Sequence, residues 1–113
     1  MEKMYTLARG GRARLFSYNE NNIELQILTG QDFESEFYIS HKEIAELLEY
    51  FKTKGWFILG NQIDNVKPNG LGNYFKTILK VSPKYASHIA AYLVKKEKLL
   101  FRDDNGLLEF KVK

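Results

Sequence analysis

Basic side chains in two parts of the chain are the residues best suited to bind another molecule. Arg9, Arg12 and Arg14 lie in the segment ARGGRAR, where two glycines allow backbone amides to approach an anion closely. A second group lies on the last two predicted helices and comprises Lys76, Lys80, Lys84, Ser87, His88 and Lys95. Because lysine and arginine neutralise phosphate and serine and histidine can hydrogen-bond base edges, both groups favour a polyanionic ligand.

The distribution of charge supports the same interpretation. The net charge of the 113-residue chain is only +3. Residues 1–14 carry four basic and one acidic side chain, residues 15–60 carry three and eight, and residues 61–113 carry ten and five. A polyanion would therefore be attracted to the two ends of the chain and repelled by its middle. Ordinary surface charge is the alternative explanation.

Residues that could support catalysis are sparse. The two histidines, His41 and His88, have no carboxylate beside them in the sequence, and the absence of cysteine excludes thiol catalysis and disulfides. We therefore predict no catalytic residue, no metal site and no cofactor. The tripeptide Glu109–Lys111 has the Glu-x-Lys form of some metal-dependent nucleases, with Asp103 and Asp104 nearby, and leaves a nuclease as a remote alternative.

The first forty residues have the alternation of antiparallel strands. Phe16 and Tyr18 alternate with Leu15 and Ser17, and the segment Asn19–Asn22 supplies turn residues. A short strand is predicted over Met4–Ala8. The residues predicted to face inward from the later strands are Ile23, Leu25, Ile27, Phe33, Phe37 and Ile39.

Helical periodicity begins at Ser40, which forms a capping box with Glu43. The apolar stripe of this first helix is Ile44, Leu47, Leu48 and Phe51. A short buried strand over Trp56–Leu59 follows, and then a helix from Leu71 with Ile78 and Leu79 turned inward. Ser82 is predicted to cap a third helix, with Ala86, Ile89, Ala90 and Leu93 as its apolar stripe and with Lys84, Ser87, His88, Ala91 and Lys95 outward.

The chain ends in a predicted β-hairpin. Asn105-Gly106 lies between two apolar runs and favours a two-residue type I′ turn. This turn pairs Arg102 with Glu109 and Phe101 with Phe110, and it places Leu99, Phe101, Leu108, Phe110 and Val112 on one face of the ladder.

From Ser40 to Val112 the order of elements resembles a winged helix-turn-helix. The order is helix, short strand, two helices and β-hairpin. This resemblance implies a third helix that enters the major groove of duplex DNA with its outward residues toward bases and phosphates.

The N-terminal half is similar to single-strand binders of the Whirly and positive-cofactor-four type. It shares with them several antiparallel strands followed by one amphipathic helix. The resemblance implies a sheet face that stacks bases and tracks phosphates, with Phe16, Tyr18 and Tyr38 as stacking residues and ARGGRAR as the phosphate contact. The alternative is that these aromatic residues belong to the core and that Gly10-Gly11 forms a hairpin turn with solvated arginines.

These patterns together predict an α+β fold in a single domain over residues 1–113. Residues 1–39 form an antiparallel β-meander and residues 40–113 the winged-helix-like part. We expect a small, non-catalytic, cytoplasmic protein that binds DNA, single- or double-stranded, mainly by electrostatic attraction, and that does not interact with membranes. The alternative is a protein–protein interaction module, a subunit or inhibitor, that uses a β edge or the acidic middle of the chain.

Overall fold

The structure is a computed structural model that describes residues 2–7, 13–60, 67–104 and 107–113. It contains two antiparallel sheets joined by helices. The fold is α+β, as the sequence predicts: a four-stranded N-terminal meander is followed by helices and a small second sheet.

The first sheet, here called the N-terminal sheet, has its strands in chain order. They are β1 (Glu2–Tyr5), β2 (Leu15–Glu20), β3 (Glu24–Thr29) and β4 (Ser35–Ser40). The first strand lies before most of the predicted span. Ile23 was predicted to face inward, but it is exposed, because the Asn21 side chain accepts hydrogen bonds from the amides of Ile23 and Glu24 and closes the β2–β3 turn there.

Helix α1 (His41–Lys52) follows β4 directly. Its N-terminus has the predicted capping box: the Ser40 hydroxyl accepts from the Glu43 amide, and the Glu43 carboxylate accepts from the Ser40 amide. Of the predicted stripe, Ile44, Leu47 and Phe51 are buried and Leu48 is partly buried against the same core. The two-residue strand β5 (Phe57–Ile58) follows the helix.

Helix α2 (Leu71–Tyr74) continues into a π-helical turn, Phe75–Leu79, which ends at Lys80 with a positive φ of 59°. The sequence predicts Ile78 to face inward, yet Ile78 is exposed. The physical reason is the wider turn, because it rotates the later side chains away from the positions that an α-helical period gives them.

A 3₁₀ turn (Pro83–Tyr85) leads into helix α3 (Ala86–Lys95). The Ser82 side chain accepts from the Lys84 amide, and Pro83 occupies the first turn, where no amide donor is needed. The predicted apolar stripe of this helix is buried.

Strands β6 (Leu99–Asp104) and β7 (Leu107–Val112) form the hairpin in the predicted register, with Arg102 opposite Glu109 and Phe101 opposite Phe110. Strand β5 pairs with the other side of β7, so the C-terminal sheet has the order β5-β7-β6. Residues 105 and 106 of the predicted turn lie outside the described residues.

One hydrophobic core connects the two sheets and the three helices. It includes Phe16 and Ile27 of the N-terminal sheet, Phe75, Ile89 of α3, and Phe110 of the C-terminal sheet. Within the described part of the chain, no helix has both the length and the apolar character required to cross a membrane.

The facing pair Phe101 and Phe110 allows a matched test of this packing. Phe110 is fully buried, whereas Phe101, on the edge strand, is 46% exposed. We expect Phe110→Ala to lower the free energy of unfolding by about 3–5 kcal/mol and Phe101→Ala by less than about 1.5 kcal/mol. Urea unfolding of both variants measures the difference, and equal losses would show that the edge strand is buried as deeply as β7, contrary to the exposure of Phe101.

Candidate functional site

The two sequence-predicted groups of basic residues are described only in part. Arg9 and Arg12 lie outside the described residues. Arg14 is exposed just before β2, where its amide donates to the Thr6 hydroxyl at 2.9 Å. The structure therefore gives the position of one of the three predicted arginines, at the start of β2.

The predicted outward face of α3 is covered by the N-terminal sheet. His88 is 7% exposed and Ala91 is 1% exposed, so the prediction that these residues face solvent is wrong. The His88 Nε2 atom lies 3.0 Å from the Thr29 hydroxyl, and the His88 ring packs edge-on against Phe16 with centroids 5.0 Å apart. Because β2 and β3 pack on this side, α3 has protein on both of its faces and its middle turns cannot enter a DNA groove.

The lysines of α3 and its entry turn lie at opposite ends of the helix. Lys84 and Lys95 are eleven residues apart, about 16 Å at the rise of a helix. The Lys84 ammonium lies 5.0 Å from the Tyr85 ring centroid, and its charge is one cause of the lowered pKa of Glu34, after hydrogen bonds from the Glu34 and Asp32 backbone. Lys95 lies 5.4 Å from the ring centroid of Tyr18.

The remaining predicted residues do not complete a single surface. Lys76 and Lys80 are exposed on the π-helical turn and the residue after it, and the partly buried Ser87 donates to the Lys84 carbonyl at 3.2 Å. At the far end of α3, Lys96 pairs with Glu20 at 2.9 Å. The Tyr92 hydroxyl also donates to Glu20, and this hydrogen bond, followed by that from Lys96, lowers the pKa of Glu20.

Two of the three predicted stacking residues belong to the core. Phe16 and Tyr18 are buried beneath α3, which excludes them as base-stacking residues and confirms the alternative that they belong to the core. Tyr38 is half-exposed on the outer face of the N-terminal sheet. Its hydroxyl donates to Glu36 and accepts from Gln26, and this places a carboxylate next to the exposed ring.

A group of cations that sequence reasoning did not single out lies on the outer face of the C-terminal sheet. Neighbouring side chains of a strand point to opposite faces, and the buried Leu99 and Phe110 define the inner face. The alternate positions carry four cations, Lys98, Arg102, Lys111 and Lys113, and we call this side the cationic face. The exposed Leu100 and Leu107 and the carboxylate of Glu109 also lie on it. Lys98 and Lys113 continue the ladder, because the Lys113 amide donates to the Lys98 carbonyl at 3.2 Å.

The one carboxylate described on the cationic face is already paired. Among the side chains described, Glu109 is its only carboxylate, and Arg102 binds that carboxylate through Nε at 2.9 Å. The three lysines are exposed, and no described carboxylate forms an ion pair with them. The face therefore presents a local excess of positive charge.

Trp56 connects the cationic face to a neighbouring cleft. The Arg102 guanidinium carbon lies 4.1 Å from the Trp56 ring centroid, so the indole lies beside the cations. Trp56 also lines a cleft of 420 Å³ between the end of α1, strand β5 and the segment 67–74. We call this the aromatic cleft; its lining includes Tyr50, Phe51, Trp56, Phe57 and Tyr74, together with Lys54, Asn69 and Asn73.

Close backbone contact shapes the aromatic cleft. The Gly72 amide donates to the Leu59 carbonyl at 2.8 Å and fixes α2 against the end of β5. Gly70 is buried at this contact, where a Cβ atom would lie 3.0 Å from the Leu59 carbonyl oxygen. A side chain at position 70 would therefore require the Leu59 backbone to shift by a few tenths of an ångström.

The Glu-x-Lys tripeptide does not form a nuclease-like arrangement in the described residues. Glu109 is bound by Arg102, and Asp103 is in register with Leu108 on the opposite face of the ladder. The side chain of Asp104, the other predicted acid, lies outside the described part of the chain. No group of three histidine or acidic residues within the described ranges could hold a metal ion.

The cationic face was available from the sequence through strand alternation. The predicted register already set Arg102 beside Glu109, and the same two-residue period links Lys98, Arg102, Lys111 and Lys113. The position of Trp56 next to Arg102 could not be predicted from the sequence, because the pairing of β5 with β7 joins segments about fifty residues apart.

Comparison with protein-family models, curated proteins and solved structures found no match.

The buried His88 predicts a pH dependence of stability. Burial lowers the pKa of His88 below its ordinary value of about 6.5, so the folded protein resists a proton that the unfolded chain accepts. The free energy of unfolding should therefore fall as the pH decreases below about 6.5, by at most about 1.4 kcal/mol per pH unit.

Urea unfolding between about pH 5 and 8 measures this dependence, because most carboxyl groups have pKa values below this range. His88→Gln should lose stability at pH 8 but show a flatter profile below pH 6.5. A variant with an unchanged slope would assign the dependence to another group.

Proposed function

We propose that this chain is a small, non-catalytic, cytoplasmic nucleic-acid-binding protein and that it contacts phosphates with its cationic face. The observation that carries the proposal is the grouping of three exposed lysines and one arginine on a sheet face whose only described carboxylate is already paired. Such an excess of positive charge attracts a polyanion and releases its counterions on binding.

The geometry favours single strands over duplex reading by α3. A duplex-reading helix must present its middle turns to bases, and those turns of α3 are buried under the N-terminal sheet. A sheet face with cations and an adjacent aromatic ring is the arrangement that follows a single-stranded backbone, because bases of any sequence stack on aromatic rings. Trp56, beside Arg102, supplies that ring.

The proposal includes a winged-helix-like arrangement in which the wing, not the third helix, contacts nucleic acid. The wing is the sheet formed by β5, β7 and β6. Support comes from the element order and from the pairing of β5 with the hairpin. The positive segment around Arg14 would contribute long-range attraction to the same polyanion.

A protein-interaction module is the second candidate, and one observation favours it. Strand β4 pairs only with β3 among the described strands, so its other edge is unpaired there and can accept an added strand. Glu36 and the half-exposed Tyr38 lie on β4, and the acidic residues Glu43, Glu46 and Glu49 are exposed on α1. A basic, extended segment of a partner would complement this region.

Fluorescence anisotropy with labelled single- and double-stranded DNA at two salt concentrations tests the nucleic-acid proposal. If the cationic face meets about four phosphates of a single strand, log K should fall with log salt with a slope of about −3. The triple variant K98E/K111E/K113E should weaken binding by roughly tenfold or more.

A second triple variant, K76E/K80E/K84E, makes the same change in net charge at three of the lysines predicted from the sequence and should weaken binding much less. A larger loss in this second variant would move the interface to the helices. No association of the unaltered protein with either DNA at low ionic strength would reject the proposal and leave the protein-interaction module.

A further inference from the structure

We propose that the aromatic cleft takes one base of the bound strand. In this arrangement the cationic face holds the phosphates while a single unstacked nucleobase enters between Tyr50 and Trp56. The inference rests on the proposed function, and it adds the class of ligand group that the cleft recognises.

The walls of the cleft match a flat, aromatic ligand. Tyr50 and Tyr74 contact each other with ring centroids 5.0 Å apart, and Phe51 stacks on Phe57 at 4.1 Å, so these rings form a continuous aromatic lining. Tyr50 is 45% exposed, so its ring has free surface at the mouth of the cleft. A volume of 420 Å³ lies in the range of small-molecule sites, about 300–1,000 Å³, and this is ample for one base.

Polar groups of the cleft suit the edge of a base and its phosphate. The side-chain amide of Asn73 donates to the Pro68 carbonyl at 2.9 Å, which fixes its orientation and leaves its oxygen as an acceptor. Asn69, exposed at the same wall, supplies a donor and an acceptor. The Lys54 ammonium lies 5.0 Å from the Tyr50 ring centroid, where it can meet the phosphate attached to the bound base.

Continuity with the cationic face identifies the occupant. Trp56 lines the cleft and also lies 4.1 Å from the Arg102 guanidinium, so the cleft opens at the edge of the cationic face. Ile58 lines the cleft as well, and it is in register with Glu109 of that face. A single strand bound along the lysines therefore has a base within reach of the cleft, whereas a duplex keeps its bases stacked inside.

The test compares a single-stranded oligothymidylate with an abasic oligonucleotide of the same length. Both carry the same phosphates, but only the first can fill the cleft. The chain has one tryptophan, Trp56, so intrinsic fluorescence reports on the site directly. We expect the oligothymidylate to quench Trp56 fluorescence and to bind about tenfold more tightly than the abasic strand, because stacking of one base on an aromatic ring increases affinity by about this factor.

Tyr50→Ala should remove this preference. The control Tyr38→Ala truncates a similarly exposed tyrosine on the N-terminal sheet and should retain the preference. Circular dichroism confirms that both variants fold. A preference for bases that persists in Tyr50→Ala would place stacking outside the cleft and overturn the inference.

Two other outcomes separate the inference from the proposed function. Equal affinity of the abasic and oligothymidylate strands, with binding still lost in K98E/K111E/K113E, would reject the cleft and retain the nucleic-acid proposal. No binding of either strand would reject both.

Discussion

The structure depends on the burial of α3 between the two sheets. The stripe of Ile89 and Leu93 belongs to the central core, while His88 meets Thr29 and Phe16 of the N-terminal sheet. Apolar burial on this scale is the main favourable term in folding, and the hydrogen bond to Thr29 satisfies one polar atom that the packing removes from water. Because both sheets contribute to the core around this helix, neither has a complete core without α3.

This shared helix also limits where a ligand can bind. A helix covered on both sides contributes only its ends to the surface, so the exposed faces of the two sheets become the larger platforms. They differ in charge: the outer side of the N-terminal sheet carries Glu36 beside Tyr38, whereas the C-terminal sheet carries lysines around an internally compensated carboxylate. The difference favours the C-terminal sheet for contact with phosphate.

Local signals made most of the fold predictable from the sequence. The Ser40–Glu43 capping box and the register of β6 with β7 involve residues close in sequence, and both were confirmed. The position of Ile78 was missed because hydrophobic periodicity assumes a regular α-helix, and the chain forms a wider turn there. The burial of His88 and Ala91 on α3 was not predicted, because alanine and histidine occur both at the surface and in the core. These residues are buried because the N-terminal sheet, more than fifty residues earlier in the chain, packs on them.

The candidate site likewise has one part that follows from local sequence and another that depends on contacts between distant segments. Strand alternation within the hairpin is a local property, so the cationic face follows from the predicted register. The aromatic cleft joins the end of α1, β5 and the segment 67–74, which only the folded chain brings together. The sequence left a stacking and a core role open for Phe16 and Tyr18, because alternation indicates which side chains share a face but not which face is buried; the structure shows the core role.

The late position of α3 in the chain has a consequence during synthesis. Strand β4 ends at Ser40, but α3 is complete only at Lys95. At elongation rates of 5–20 residues per second, roughly 3–11 seconds separate the two events. Throughout this interval the nascent sheet exposes Phe16 and Tyr18 to the surroundings of the ribosome, and a chaperone or a neighbouring nascent chain can occupy that apolar surface before the helix arrives.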